Sequence, residues 1–223
     1  MFYRLANLIA SFLSRLFARL EITGRENVPK DGALMVVMNH INFLDAPVVG
    51  IAVDRRIRWM AKVELWDNPA AGIVMDQYGA FPIHRGEVDR RALGRAVAIM
   101  RGGGVLGISP EGHRSSTASL GRAKPGAARL ALQTDTPILP VAVAGTEKAV
   151  RTWLKLQRPL IHVRIGEPFK LPAERPVSKE RQQELVDEVM LHLAALLPES
   201  YRGVYANGMP GPEVEAYTPP LPD

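Results

Sequence analysis

Apolar and polar positions along the chain follow two periods, and the switches between them mark out its elements. Phe2, Leu5, Leu8, Ile9, Phe12, Leu13, Leu16, Phe17 and Leu20 recur three and four residues apart, which predicts an amphipathic helix over residues 1–21. A turn at Pro29-Lys30-Asp31-Gly32 precedes the short apolar run Ala33 to Met38, which reads as a buried strand. A short helix is expected over 46–53, and a second strand over 56–62 delivers Lys62 to its end. Residues 64–75 read as a helix, a reading that Pro69 and Gly72 weaken. Residues 80–85 read as a third strand, with Pro82 marking an edge or an irregular entry. A helix over 88–101 stops at Gly102-Gly103-Gly104, and 105–108 is a short buried strand leading to a loop at 109–115. After a polar, basic stretch at 116–125 come a helix at 126–135, a core strand at 137–144 and an alternating strand at 160–166. Ser178 is placed to cap a long helix running to about Leu197, with Leu185, Val186, Val189, Met190, Leu193 and Leu196 facing inward.

Strands alternate with helices through the first 145 residues. That predicts an α/β domain over 22–200, with a mostly parallel or mixed central sheet flanked by helices and the amphipathic helix at its N-terminus. From Gly208 the chain is Pro-rich and acidic without apolar periodicity, so 208–223 is expected to be a disordered tail.

Charge changes the picture at the N-terminus. Arg4, Arg15 and Arg19 are the only charged residues before Glu21, and the charge-free window from Leu5 to Ser14 is shorter than the roughly 20 apolar residues a bilayer span needs. Arg15, Arg19 and the bulky Phe17 and Leu20 do not suit a signal-peptide cleavage site. The expectation is a helix lying in the membrane interface, arginines toward anionic head groups. The alternative packs the same stripe on the domain's own core. The whole chain carries a formal charge of +5, which suits anionic partners. The absence of cysteine removes a thiol nucleophile, disulfides and thiolate metal sites together.

Candidate chemistry gathers at strand ends. His40 follows the first core strand, in Asn39-His40-Ile41-Asn42-Phe43-Leu44-Asp45. If the chain turns after His40 and a helix starts near Asn42, the Asp45 carboxylate reaches back to the imidazole, fixes its tautomer and stabilises the imidazolium formed when it takes a proton. The bland reading is a strand-end histidine beside a helix-capping aspartate. Arg85 ends another strand, Glu111 and Arg114 follow a third, and Lys62 ends a fourth. Gathered at one sheet edge, these groups are what acyl transfer to a hydroxyl on a phosphate-bearing molecule needs: a base, an acid that orients it, and fixed cations.

At this point the chain resembles the glycerolipid acyltransferases, the family of 1-acylglycerol-3-phosphate acyltransferase. Asn39-His40-x4-Asp45 is similar to that family's first motif, Gly79 to Gly86 with its Arg85 to the second, Ser109-Pro110-Glu111-Gly112-His113-Arg114-Ser115 to the third, and Ile138-Leu139-Pro140-Val141-Ala142 to the fourth. The resemblance covers roughly residues 22 to 170, and four motifs in order are highly specific. It implies that His40 is the general base and Asp45 its orienting acid. It implies that the acceptor hydroxyl attacks the thioester of acyl-CoA or acyl carrier protein directly, with no bound cofactor and no metal. Lys62, Arg85 and Arg114 would then bind the acceptor phosphate. Glu111 and Gly112 would shape the acceptor site, Glu111 through a hydroxyl or an arginine. Backbone amides near the first motif would stabilise the oxyanion. The sequence departs from the family at Ser109, commonly Phe, and at His113, commonly Thr. His113 either adds a phosphate contact or merely occupies the loop.

The implied reaction is transfer of an acyl group to lysophosphatidic acid, giving phosphatidic acid in phospholipid biosynthesis. The alternatives are another acceptor (glycerol-3-phosphate, another lysophospholipid or a glycolipid) or a non-catalytic lipid-binding protein. Attachment is expected to be peripheral, on the cytoplasmic face of a membrane. His84, His162 and His192 fit ordinary strand and helix positions. The basic run from Arg114 to Arg129 lacks the aromatics that stack bases, so no nucleic-acid partner is expected.

Overall fold

The computed structural model describes residues 2–84, 86, 89–172 and 177–208. Helix α1 (Phe2–Phe17) leads into strand β1 (Arg19–Thr23). There follow β2 (Leu34–Met38), α2 (Asp45–Val53), β3 (Ile57–Lys62), α3 (Pro69–Tyr78), β4 (Phe81–Ile83), α4 (Arg90–Arg101), β5 (Val105–Ile108), α5 (Gly126–Thr134), β6 (Ile138–Ala144), the short α6 (Ala149–Trp153), β7 (Leu160–Ile165) and α7 (Lys179–Leu196).

The strands form one seven-stranded sheet in the order β1-β7-β6-β2-β5-β3-β4. β2 runs parallel to β5 and β6, and β3 runs parallel to β5 and β4, while β7 is antiparallel to β6 and parallel to β1. The expected mixed α/β sheet is therefore present. The C-terminal ends of β2, β3, β4, β5 and β6 lie along one edge, where the loops that follow them can converge.

β2 is central, and all five of its residues are buried. A continuous apolar run is what a strand covered on both faces requires. Met35 and Val37 point into a core shared with α4, α5 and α7, while Leu34, Val36 and Met38 point into a second core shared with α2. The sheet is thus held rigidly beneath its functional edge.

The N-terminal stripe departs from expectation at its end. The helix stops at Phe17, and Leu20 belongs to β1, which pairs in parallel with β7. The reason is tertiary. Trp153 Nε1 donates to Phe17 O at 2.7 Å, the Arg158 guanidinium donates to Ala18 O, and Arg19 N donates to Pro159 O at 2.8 Å, drawing the chain out of the helix and onto the sheet. The single helix expected over 64–75 is split into a 3-10 turn at Val63–Trp66 and α3, which starts at Pro69. Pro69 occupies the first turn of α3, where its missing N–H costs nothing, and Asn68 Oδ1 caps the amides of Ala70 and Ala71.

α1 docks with its polar side inward. Tyr3 and Asn7 are buried. Tyr3 Oη donates to Arg55 O at 2.8 Å, Asn7 Nδ2 donates to Gly50 O at 3.2 Å, and Tyr78 Oη donates to Asn7 Oδ1 at 3.3 Å. Leu5, Leu8, Ile9, Phe12, Leu13, Leu16 and Phe17 are exposed, Leu8 by 67%. The stripe therefore does not pack on the domain core. Among the described residues no helix is long and apolar enough to cross a membrane. The tail expected from 208 lies, past Gly208, outside the described residues.

Candidate active site

The site begins one residue beyond the central strand. Asn39 Nδ2 donates to Val143 O and Val143 N donates to Asn39 Oδ1, both at 2.8 Å, so a buried amide continues the β2–β6 pairing past the end of β2. The chain then turns, and His40 projects from the sheet edge with its side chain 22% exposed.

Asp45 is the first residue of α2 and is fully buried. Its Oδ2 accepts from His40 Nδ1 at 2.9 Å and from the backbone N–H of Ile41 and Asn42 at 2.7 Å each. Its Oδ1 accepts from Thr146 Oγ1 at 2.6 Å. A carboxylate so surrounded by donors acts only as an acceptor, so the bonded proton sits on His40 Nδ1 and the Nε2 lone pair is left free. None of the described residues bonds Nε2. The turn and helix start expected around Asn42 are therefore present, and they bring the carboxylate back onto the imidazole.

The loop after β5 locks onto this turn. Val37 pairs with Ile108, so His40 and Glu111 stand three residues beyond partners in the same register. Glu111 Oε1 accepts from His40 N at 3.4 Å and Oε2 accepts from Gly121 N at 2.8 Å. Ser115 N donates to His40 O at 2.7 Å. Burial pushes the Glu111 carboxyl up to about 7, against the opposing pull of the two amide bonds and reinforced by the nearby Asp45 charge. Among the described residues the bonds Glu111 accepts come from these two backbone amides. Gly112 turns with φ 77, beside the side chain of Lys124.

His113 donates from Nδ1 to Glu111 O at 3.0 Å, bracing its own loop. Arg114 is exposed. Lys62 ends β3, whose register sets it beside Ile83 of β4. β5 intervenes between β3 and β2, so Lys62 lies about 10 Å across the sheet from the first motif. Arg85 lies outside the described residues. His84 is bound to Asp89 through both its N and Nδ1, and Asp89 in turn caps α4. Those bonds hold the Asp89 carboxyl well below the usual carboxylate range.

The amides expected to serve an oxyanion are mostly occupied. The N–H groups of His40, Ile41, Asn42, Leu44 and Asp45 all have partners within this loop or on Glu111, and among the described residues that of Phe43 has none. Among the described residues no group of three or more His, Asp or Glu is placed to hold a metal ion.

Between α1 and α2 opens an apolar groove of about 560 Å³, bordered on the α2 side by Leu44 and Pro47. Leu13 and Phe17 form one wall, Leu44 and Ile51 the other, and Trp153 and Ile161 close one side. Such a volume falls in the usual range for small-molecule sites. Neither Thr146, Gly121 nor the groove was visible in the sequence, because each reaches the site from a distant segment.

The acyltransferase family profile matches residues 19–144. A 1-acyl-sn-glycerol-3-phosphate acyltransferase of Bacillus subtilis (strain 168) is 28% identical over 165 residues, spanning 74% of this chain and 80% of that protein. A chloroplastic 1-acyl-sn-glycerol-3-phosphate acyltransferase of Brassica napus is 31% identical over 153 residues, 66% of this chain, but the match covers only 44% of the plant protein. The crystal structure of the 1-acyl-sn-glycerophosphate acyltransferase of Thermotoga maritima superposes with a TM-score of 0.67 at 24% identity, covering 84% of this chain and 76% of that one. That likeness shows a shared fold.

Proposed function

The chain belongs to the acyltransferase family, and from that premise we propose that it moves a fatty acyl group from a thioester donor to the free hydroxyl of lysophosphatidic acid, giving phosphatidic acid for phospholipid synthesis. The observation that carries this reading is the His40–Asp45 pair. A buried carboxylate held by four donors orients an imidazole whose Nε2 is open.

In the proposed step, His40 Nε2 takes the proton of the acceptor hydroxyl as its oxygen attacks the thioester carbonyl. Asp45 stays ionised and stabilises the imidazolium. The tetrahedral intermediate collapses with loss of the thiolate, which takes the proton back from His40, so ester and free thiol leave and the base is restored. The Phe43 N–H, in the same turn, is offered to the oxyanion. Lys62, Arg85 and Arg114 are assigned to the acceptor phosphate, and Gly112 to a close backbone approach at the acceptor. The acyl chain of the donor, acyl-CoA or acyl carrier protein, would lie in the groove between α1 and α2. The names carried by the Bacillus and Brassica relatives support the choice of acceptor.

The outward apolar stripe of α1 supports peripheral attachment to a phospholipid surface, on the cytoplasmic face where anionic lipid draws basic segments. Residues 22–200 would then be the catalytic domain held at that surface.

The test is acyl transfer from a long-chain acyl-CoA to lysophosphatidic acid in vesicles, with His40→Ala alongside. Phosphatidic acid from wild type and about a hundredfold or greater loss in the variant are expected. No phosphatidic acid from wild type overturns the acceptor, and an active His40→Ala protein overturns the base.

A further inference from the structure

The segment between β6 and β7 exposes apolar side chains that no described element covers. Val150, Leu154 and Leu156 are 49%, 83% and 98% exposed. Leu154 N donates to Val150 O at 3.1 Å, so these two stand one turn apart on the same face of α6. Leu156 follows with φ 56. That left-handed backbone suits glycine or asparagine and disfavours leucine. Here the strain falls on a side chain that gains almost no contact within the molecule, which points to a partner outside it.

Charge identifies the partner. Lys148, Arg151 and Lys155 are exposed around these leucines, and no carboxylate occurs from Lys148 to Leu160. Glu147, just before them, is held by the Tyr201 hydroxyl at 2.6 Å and lies 3.7 Å from the Lys148 ammonium, whose side chain stays 70% exposed. Exposed leucines ringed by cations complement an anionic lipid leaflet, whose acyl layer takes the former and whose phosphates take the latter. The segment is also continuous with α1. Trp153 Nε1 bonds Phe17 O, and Arg158 bonds Arg15 O and Ala18 O, at the end of α1 that exposes Leu16 and Phe17. An indole at that junction suits the membrane–water boundary.

We propose that residues 148–156 are a second membrane-inserting wedge, with Leu154 and Leu156 entering the acyl layer of an anionic leaflet and Lys148, Arg151 and Lys155 holding its phosphates. This rests on the membrane reading of α1 and adds to it. A helix alone is free to roll about its axis on a surface, whereas a second contact at its end fixes the roll and turns the groove toward the leaflet.

The experiment measures partitioning of the full chain onto vesicles of phosphatidylcholine, with and without phosphatidylglycerol. It compares Leu154→Gln/Leu156→Asn, Lys148→Gln/Arg151→Gln/Lys155→Gln and, as the α1 control, Leu8→Gln/Phe12→Gln. Asparagine keeps the left-handed turn at 156. The leucine variant is expected to partition about tenfold or more weakly. The charge variant should lose roughly fivefold per charge on anionic vesicles and nothing on neutral ones. Both should keep wild-type activity toward short-chain substrates dispersed as monomers. If the leucine variant binds anionic vesicles like wild type while the α1 control falls off, the α1 reading stands and the wedge is wrong. If wild type itself fails to bind, both readings fall. If the leucine variant keeps its vesicle affinity but loses affinity for an acidic carrier protein, the segment docks a protein and the wedge is again wrong.

Discussion

Among the described residues Thr146 is the one donor to Asp45 from outside the first motif, 101 residues away, and it is buried just past the end of β6. Thr146→Val keeps the shape and removes the bond, leaving Oδ1 buried without that partner. It is expected to cost about 1–3 kcal/mol of stability in thermal unfolding and to lower kcat by up to about a hundredfold. Thr146→Ser should restore both. Glu111 gives the site a pH dependence of defined sign. Its carboxyl is raised to about 7 in the folded state by burial, whereas the unfolded chain ionises near the ordinary value of about 4.3. Its contribution to stability is full below that ordinary value and is lost as pH rises through 7. Against Glu111→Gln, wild type should therefore lose on the order of 3 kcal/mol of unfolding free energy between about pH 4.5 and 7, with no further difference above. Urea titrations across that range check it, and a flat difference would mean the carboxyl is ionised throughout. The His40–Asp45 contact was legible because both residues lie within a few positions of one strand end. Thr146 was not, because a lone threonine after a strand carries no local signal. The bonds Glu111 accepts from the His40 and Gly121 amides had no local signal, because Gly121 and His40 lie on other segments.

Elements were legible where apolar period and length agreed. β2, β5 and β6, buried on both faces, read as continuous apolar runs, and α7 read from its cap to its end. β1 was hidden inside an apparently continuous helical stripe, because only Trp153, Arg158 and Pro159 end that helix at Phe17. α6 is a five-residue helix, too short to show a period. Register is a property of pairs of strands, and it decides the spacing of the site. Trp59 of β3 lies opposite Gly107 of β5, and a Cβ on that glycine would collide with the indole ring. The absence of a side chain there gives the indole room on the sheet face, three residues before Lys62 at the edge. Gly107→Ala should force the indole aside and cost about 1–3 kcal/mol. If Lys62 holds the acceptor phosphate, the same variant should raise KM for the acceptor more than it lowers kcat. Unfolding midpoints and acceptor titrations measure the two effects separately.

At the scale of the molecule, α1 has two apolar surfaces with different uses. Its outer stripe faces away from the protein, and its flank at Ala10, Leu13, Ser14 and Phe17 walls the groove against α2. The polar anchor of Tyr3, Asn7 and Tyr78 makes this possible, since hydrogen bonds fix the helix and leave its apolar side chains unspent. A groove built from residues 10–18, 44–51, 153 and 161 has no sequence signature, and it forms only when the fold brings those segments together. If it holds the acyl chain, its depth sets which chains are used. Ala10→Phe places a ring in the groove from the α1 side while leaving His40 and Asp45 untouched. Each methylene then denied an apolar wall forfeits about 0.8 kcal/mol, close to a fourfold loss in kcat/KM. Transfer from long-chain acyl-CoA should therefore fall steeply, while short-chain donors that end before the obstruction should be used as by wild type. Competition between donors of graded length in one reaction reads this ratio directly. An equal loss at every chain length would place the acyl chain elsewhere and reduce α1 to an anchor.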